Sequence, residues 1–278
     1  MPRLGMCSAT LLRDPLDTSA TELLEVLDAI AAAGFESLSW WAMHGSILGD
    51  GATDAIRSRG LTVGALEVAA SWAGGNDTAI ERELAFLAPV ADEFGPEVMV
   101  SVSLDPVVDD QPAAAGLRQV TEWAEARHMR VALEFLPWTG VASIHDAHRL
   151  CELVDHPACG LLLDTWHWAR QPTGSDLSQL DDIDLTRTTY IQLDDAPRQP
   201  VLDELFAETM AHRLAPGDGE VDLAGLLDAV RASGADPYIA PEVFNAEMLE
   251  GGSAAMAAYM HETTMRALDR VGWAPSDP

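Results

Sequence analysis

The chain has 278 residues, 48% of them hydrophobic, with 16 Lys+Arg against 45 Asp+Glu and a formal net charge of −29. Every basic residue is an arginine, which excludes Schiff-base, pyridoxal-phosphate and P-loop lysines, and the negative surplus argues against nucleic acid and anionic membrane surfaces as partners. No apolar stretch approaches the roughly 18 residues of a membrane span, the first residues lack the apolar core of a signal peptide, and Cys7, Cys151 and Cys159, odd in number and without CxxC spacing, suit a reducing cytoplasm and supply no zinc knuckle.

Short β-branched or leucine-rich runs alternate with longer amphipathic ones. In chain order, strands are predicted at 3–8, 37–41, 61–66, 98–102, 131–135, 160–164, 189–193 and 238–243. The first helix has Asp17 or Thr18 as N-cap, apolar residues at Leu23, Leu24, Leu27 and Ile30, and Gly34 as its stop. Gly60 and Gly234 likewise close helices just before a strand. Such alternation implies parallel strands with right-handed crossovers, and eight units imply closure into a single (β/α)8 TIM barrel occupying 1–278 as one domain. An open doubly wound sheet would prefer a Gly-rich loop after the first strand, which Ser8-Ala9-Thr10-Leu11 does not supply. The tail after Val271 reads as frayed.

In such a barrel the reacting groups sit where strands end. Glu134 ends the fifth strand, Asp164 the sixth, Gln192 followed by Asp194 and Asp195 the seventh, and Glu242 the eighth. Any one of these acids alone is more simply a helix cap or an arginine partner. Acids ending three of four successive strands would repel one another in a low-dielectric mouth, and a divalent cation resolves that. All-oxygen ligands favour Mn²⁺ or Mg²⁺, with Co²⁺ or Zn²⁺ also compatible.

The runs Leu133-Glu134-Phe135, Leu163-Asp164-Thr165-Trp166-His167, Ile191-Gln192-Leu193-Asp194-Asp195, Pro216-Gly217-Asp218-Gly219-Glu220 and Pro241-Glu242-Val243-Phe244 resemble the sugar isomerase/epimerase superfamily of xylose-isomerase-like barrels. That group includes ketose 3-epimerases, inosose isomerases and dehydratases, hydroxypyruvate isomerase and endonuclease IV. The resemblance implies that Glu134, Asp164, Gln192 and Glu242 hold the metal and that Glu134 and Glu242 form the acid/base pair. It implies further that His167 contacts a substrate oxygen and that Arg198 neutralises a developing enediolate; many barrels of that group pair as homo-oligomers through their rims. The family's third ligand is usually histidine. Gln192 departs from that pattern, and an amide oxygen is a weaker donor than imidazole, so metal affinity is expected to be lower or the ion harder.

Arg213 and Glu67 are further substrate-binding candidates, each with a simpler reading as a surface ion pair or a helix-capping acid. Trp40, Trp41, Trp72, Trp138, Trp166 and Phe244 follow or end strands, where aromatics can stack on a substrate and exclude water; Trp138 is the one assigned to substrate. The sequence thus points to an isomerase or epimerase acting on a small keto-sugar or cyclitol-like compound through an enediolate. The nearest alternative uses the same site to expel a leaving group, as in inosose or dehydroshikimate dehydration. A nuclease like endonuclease IV would need more histidines and a positive face, and a non-catalytic barrel is the remaining reading.

Overall fold

A computed structural model describes residues 3–273. Nine strands form one parallel sheet: β1 (Arg3–Leu4), β2 (Met6–Cys7), β3 (Ser37–Trp41), β4 (Thr62–Ala69), β5 (Val98–Ser101), β6 (Arg130–Glu134), β7 (Cys159–Asp164), β8 (Thr188–Leu193) and β9 (Tyr238–Pro241). Their order is β1-β9-β8-β7-β6-β5-β4-β3-β2. β1 and β2 are two halves of the first predicted strand, one paired with β9 and the other with β3. The sheet therefore closes on itself as an eight-position barrel. Ten helices occupy the connections: α1 (Ala20–Ala32), α2 (Ala42–Leu48), α3 (Ala52–Arg57), α4 (Asp77–Phe94), α5 (Asp110–Glu125), α6 (Ile144–Val154), α7 (Thr165–Arg170), α8 (Leu205–Thr209), α9 (Leu223–Ser233) and α10 (Ser253–Arg270). None among the described residues is long and apolar enough to cross a membrane.

Several local expectations are revised. α1 is capped by Ser19, not by Asp17 or Thr18, because Ser19 and Glu22 complete a reciprocal capping box. β4, the third predicted strand, runs on to Ala69, beyond the predicted end at 66. At the C-terminal end, the Trp273 backbone N–H donates to the Leu268 carbonyl and its side chain packs on the core, which ties down the start of the expected frayed tail; residues 274–278 lie outside the described residues.

Strand alternation separates two apolar layers. Val131, Leu133, Leu161, Leu163, Ile191 and Ile239 face outward into the core shared with the helices. Ala132, Leu162, Tyr190 and Ala240 belong to the cluster inside the barrel. Two residues beyond each of these four inward positions stand Glu134, Asp164, Gln192 and Glu242, so the same alternation aims all four at the barrel axis on the C-terminal rim.

The opposite end of the barrel is plugged by Tyr238. Its ring lies so close to two strands that a Cβ at Gly5 would fall 1.6 Å from its hydroxyl and one at Gly64 2.3 Å from its ring, while the hydroxyl donates to Ser37 Oγ over 3.0 Å. Gly5 is also where the first strand divides. Gly64→Ala is expected to destabilise the fold by about 1–3 kcal/mol through overpacking, measured as a lower denaturant midpoint with an unchanged m-value.

Candidate active site

Five carboxylates converge at the rim, and all are buried: Glu67, Glu134, Asp164, Asp194 and Glu242. One guanidinium stands among them. Arg213 Nη1 donates to Asp164 Oδ2 and Asp194 Oδ2, each at 2.7 Å, and lies 3.3 Å from Glu242 Oε2. Thr209 fixes the far side of the group by accepting from Arg213 Nε at both its carbonyl and its hydroxyl. His167 Nε2 lies 3.1 Å from Glu134 Oε1 and 3.4 Å from Arg213 Nη2. The Asp164 side chain caps α7 by accepting from the His167 N–H, which fixes the spacing of the Asp-Thr-Trp-His run. On the opposite flank, Cys7 Sγ donates to Glu242 Oε1 over 3.2 Å, and Ser39 Oγ donates to Glu67 Oε1.

The expected site residues fare differently. Glu134, Asp164, Glu242, His167, Glu67 and Arg213 come together, as do Cys7 and Ser39, which were not anticipated, and Asp194, which was noted at a strand end but given no role. Cys7 and Asp194 could have been found by the rule that located the others: Cys7 ends a strand, and Asp194 follows Gln192 by two. Asp195, one residue on, turns the other way. It accepts from the backbone N–H groups of Ala196, Gly217 and Val221 and so shapes the Pro-Gly-Asp-Gly loop. Arg198 is not brought to the cluster: it is exposed, in a cleft with Arg170 and Pro197. The aromatics divide. Trp40 and Trp72 are fully buried in the outer core. Trp138 and Trp166 meet His167 edge-on, with ring centroids 5.3 and 5.4 Å away. Phe244 packs on Trp41 and under the Arg213 guanidinium.

Burial, then the charge of Glu242, pushes the Glu67 carboxyl up to about 8. The same two causes hold Glu134 well above the usual range, with Asp164 adding to them. Burial and Asp164 do this for Asp194, and burial raises Glu242 in spite of Arg213. Burial also lowers His167 to about 3, so its ring is neutral. For Arg213 burial works against the charge, but Asp164, Asp194 and Glu242 outweigh it and the group is raised.

One guanidinium does not neutralise five carboxylates. Both polar atoms of the Gln192 side chain are buried with no hydrogen-bond partner among the described residues, and Gln192 is paired in register with Asp164. An orphaned amide oxygen beside surplus carboxylates is a donor set that fits a hard divalent cation. Glu134, Asp164 and His167 have ligand atoms within 4.8 Å of one another, as do Cys7, Glu67 and Glu242.

A family model described as a xylose isomerase-like TIM barrel matches residues 27–265. Over 235 residues the chain is 28% identical to a 3-dehydroshikimate dehydratase of Pseudomonas putida, an alignment that covers 80% of this chain and only 36% of that longer protein. Over 133 residues it is 27% identical to an inosose isomerase of Bacillus subtilis, covering 47% of this chain and 46% of the relative. The solved structure of the IOLI protein with a bound zinc atom superposes with a TM-score of 0.81 at 21% identity, covering 99% of this chain and 100% of that one.

The electrostatics set a pH dependence. A carboxyl with a folded pKa of about 8 keeps its proton between the ordinary value and 8, while the unfolded chain has released it, so stability falls as pH rises through that window. His167 acts in reverse, but only between about 3 and its ordinary 6.5. Above pH 6.5 the opposing His167 contribution fades while that of the carboxyls continues. The chelator-treated protein is therefore expected to lose about 2 kcal/mol through Glu67 alone between pH 6.5 and 8. In thermal unfolding, Mn²⁺ should raise the Tm more at pH 8 than at pH 6.

Proposed function

The chain belongs to the xylose isomerase-like TIM barrel family, and on that premise we propose that it is a divalent-metal-dependent enzyme that removes the proton next to the carbonyl of a small keto-sugar or cyclitol-like compound and returns it elsewhere, as an isomerase or epimerase. The observation that carries this reading is the pair Glu134 and Glu242, raised on the fifth and eighth of eight barrel strands around the unpartnered amide of Gln192. Glu134, Asp164, Gln192 and Glu242 would hold the cation, which requires the Arg213 guanidinium to yield the Asp164 and Glu242 oxygens it now engages, with Mn²⁺ or Mg²⁺ suited to so many oxygens. When bound, it would polarise the substrate carbonyl and acidify the neighbouring C–H.

The remaining chemistry falls to the chain's own groups. Glu134 accepts a hydrogen bond from the neutral His167 ring when Nε2 carries the proton, and its second oxygen has no partner among the described residues. That oxygen is free to take a proton from carbon once the carboxyl is ionised, which the charge of a bound cation would favour against the burial that raises it. Both Glu242 oxygens are already engaged, one by the Cys7 thiol and one by Arg213. Glu242 is thereby held in place to return a proton on the other side. Arg213, raised and permanently charged, supplies fixed positive charge where an enediolate would form. Trp138, Trp166 and Phe244 keep water from the reacting carbon.

A second reading ends in elimination: the same enediolate expels a neighbouring hydroxyl as water. It is favoured by the relative named a 3-dehydroshikimate dehydratase, which aligns with 80% of this chain, against 47% for the inosose isomerase.

Glu134→Gln and Glu242→Gln are each expected to lower kcat/KM on a responsive keto-polyol by about 10²–10⁴ in Mn²⁺-supplemented assays while leaving the fold intact. In deuterated water, mass spectrometry should show solvent deuterium entering the product with no loss of water. Loss of water would select the dehydratase reading. Unchanged turnover after replacing both glutamates would refute the shared proton-abstraction step.

A further inference from the structure

We propose that Cys151 and Cys159 form a reversible redox pair, a dithiol that a small hydroperoxide converts to a disulfide and a low-molecular-weight thiol restores. The pair stands away from the rim and does not depend on the chemistry there.

Two of the chain's three cysteines meet in the fold. Cys151 belongs to α6, and Cys159 opens β7, facing outward as Leu161 and Leu163 do. Both thiols are free and buried, and their sulfurs lie 3.6 Å apart, in hydrogen-bond contact. Residues 155–158 alone connect the two elements, so a bond between the sulfurs closes a short loop that the fold has already formed. Arg187, itself partly exposed, covers the pair: its Nη1 donates to the Cys159 carbonyl over 3.3 Å and to the Cys151 carbonyl over 3.5 Å. Arg118 donates to the carbonyl of Val154, at the end of α6. Cys7, by contrast, has the carboxyls of Glu67 and Glu242 as its neighbours.

These surroundings rank the three thiols. The hydrogen bond with Cys151 lowers Cys159 against the effect of burial, and Thr121, Arg187 and Arg118 add to the lowering. The same hydrogen bond, with burial, holds Cys151 well above the ordinary thiol value. Burial and then Glu67 and Glu242 do so for Cys7. The thiolate is the nucleophile, so Cys159 reacts first and Cys151 is in place to resolve the product. The Cys159 sulfur attacks one peroxide oxygen, the O–O bond breaks, and the other oxygen leaves with a proton as water or an alcohol. Cys159 is then a sulfenic acid. The Cys151 sulfur gives up its proton and attacks the Cys159 sulfur. The S–S bond forms, the S–O bond breaks, and the hydroxide leaves with that proton as water. Two thiols have lost two electrons and the peroxide has gained them. Two equivalents of a small thiol reverse the change by exchange. In a reducing environment the pair rests as the dithiol and links only under oxidant. The link ties α6 to the start of the strand that ends in Asp164.

The test treats the native chain with hydrogen peroxide, blocks the remaining thiols by alkylation and maps the peptides by mass spectrometry. A link between positions 151 and 159, two hydrogens lighter and opened by dithiothreitol, is expected, with Cys7 still a thiol. In Cys151→Ala the reaction should stop at a sulfenic acid on Cys159, which dimedone traps. A second measurement needs no variant and does not depend on how quickly buried sulfurs react. At equilibrium in one glutathione buffer, the ratio of disulfide to dithiol should be at least about tenfold higher in the native chain than in the chain unfolded by guanidinium. Absence of the link in the peroxide-treated native chain, oxidation of Cys7 ahead of Cys159, or an equilibrium no more favourable in the native than in the unfolded chain would overturn the proposal.

Discussion

The organising constraint is the concentration of like charge in a place with little water. Closure of a parallel barrel and strand alternation point every second residue at one axis. Where that residue is acidic on three of four successive strands, the carboxylates cannot avoid one another. The remaining features of the rim answer this crowding. Arg213 is buried among three of the acids, Cys7 and Ser39 donate to two oxygens on the far flank, and His167 is kept neutral between Glu134 and Arg213. These donors are too few, and the shortfall is what a cation or a reacting substrate is placed to exploit.

The two ends of the barrel divide stability and chemistry. β9 carries Tyr238 at one end and leads into Glu242 at the other, so the plug and one of the crowded rim acids share one strand. Tyr238 fills the bottom so completely that Gly5 and Gly64 have no room for a side chain. A rigid, close-packed floor lets the rim hold groups that oppose folding. Such a local deficit is tolerable because the inner and outer apolar layers supply the favourable term.

The strands were legible because their signal is local: apolar runs bounded by turn residues, with boundaries recovered to within a few positions. The site acids were legible for a related reason. An acid immediately after a buried apolar run contradicts the strand's own pattern, and three such contradictions at equivalent positions demand a common cause. Arg213 and Arg198 show where this reasoning ends. Both lie in the connection from β8 to α9, and nothing in their immediate sequence separates them. Arg213 goes inward because Thr209 accepts from its Nε, its own N–H donates to the Phe244 carbonyl, and its carbonyl accepts from Asn245. The contacts with Phe244 and Asn245 join segments distant in sequence and have no periodic signature. Ser19 displaces Thr18 as the cap of α1 for a different reason, one written in the sequence: Ser19 has a glutamate three residues on and completes the capping box, whereas Thr18 has Thr21 there.

The position of Arg213 has a structural antecedent in a second buried ion pair. Glu208 accepts from Arg170 Nε and Nη2 and also from the backbone N–H groups of Val201 and Leu202. With four donors on one carboxylate, the loop ahead of α8 is pinned to α7. Glu208 immediately precedes Thr209, the residue that orients Arg213. Trp166 lies between the two pairs, with the Arg170 guanidinium 5.4 Å and the Arg213 guanidinium 5.7 Å from its ring. The Asp-Thr-Trp-His run thus does more than present Asp164 and His167, because its tryptophan separates the arginine paired with Glu208 from the one that stands among the rim carboxylates. A charged group on a long loop is ordinarily imprecise. Here it is fixed by a neighbouring ion pair and an intervening ring, which gives a loop residue the rigidity of the strands it faces.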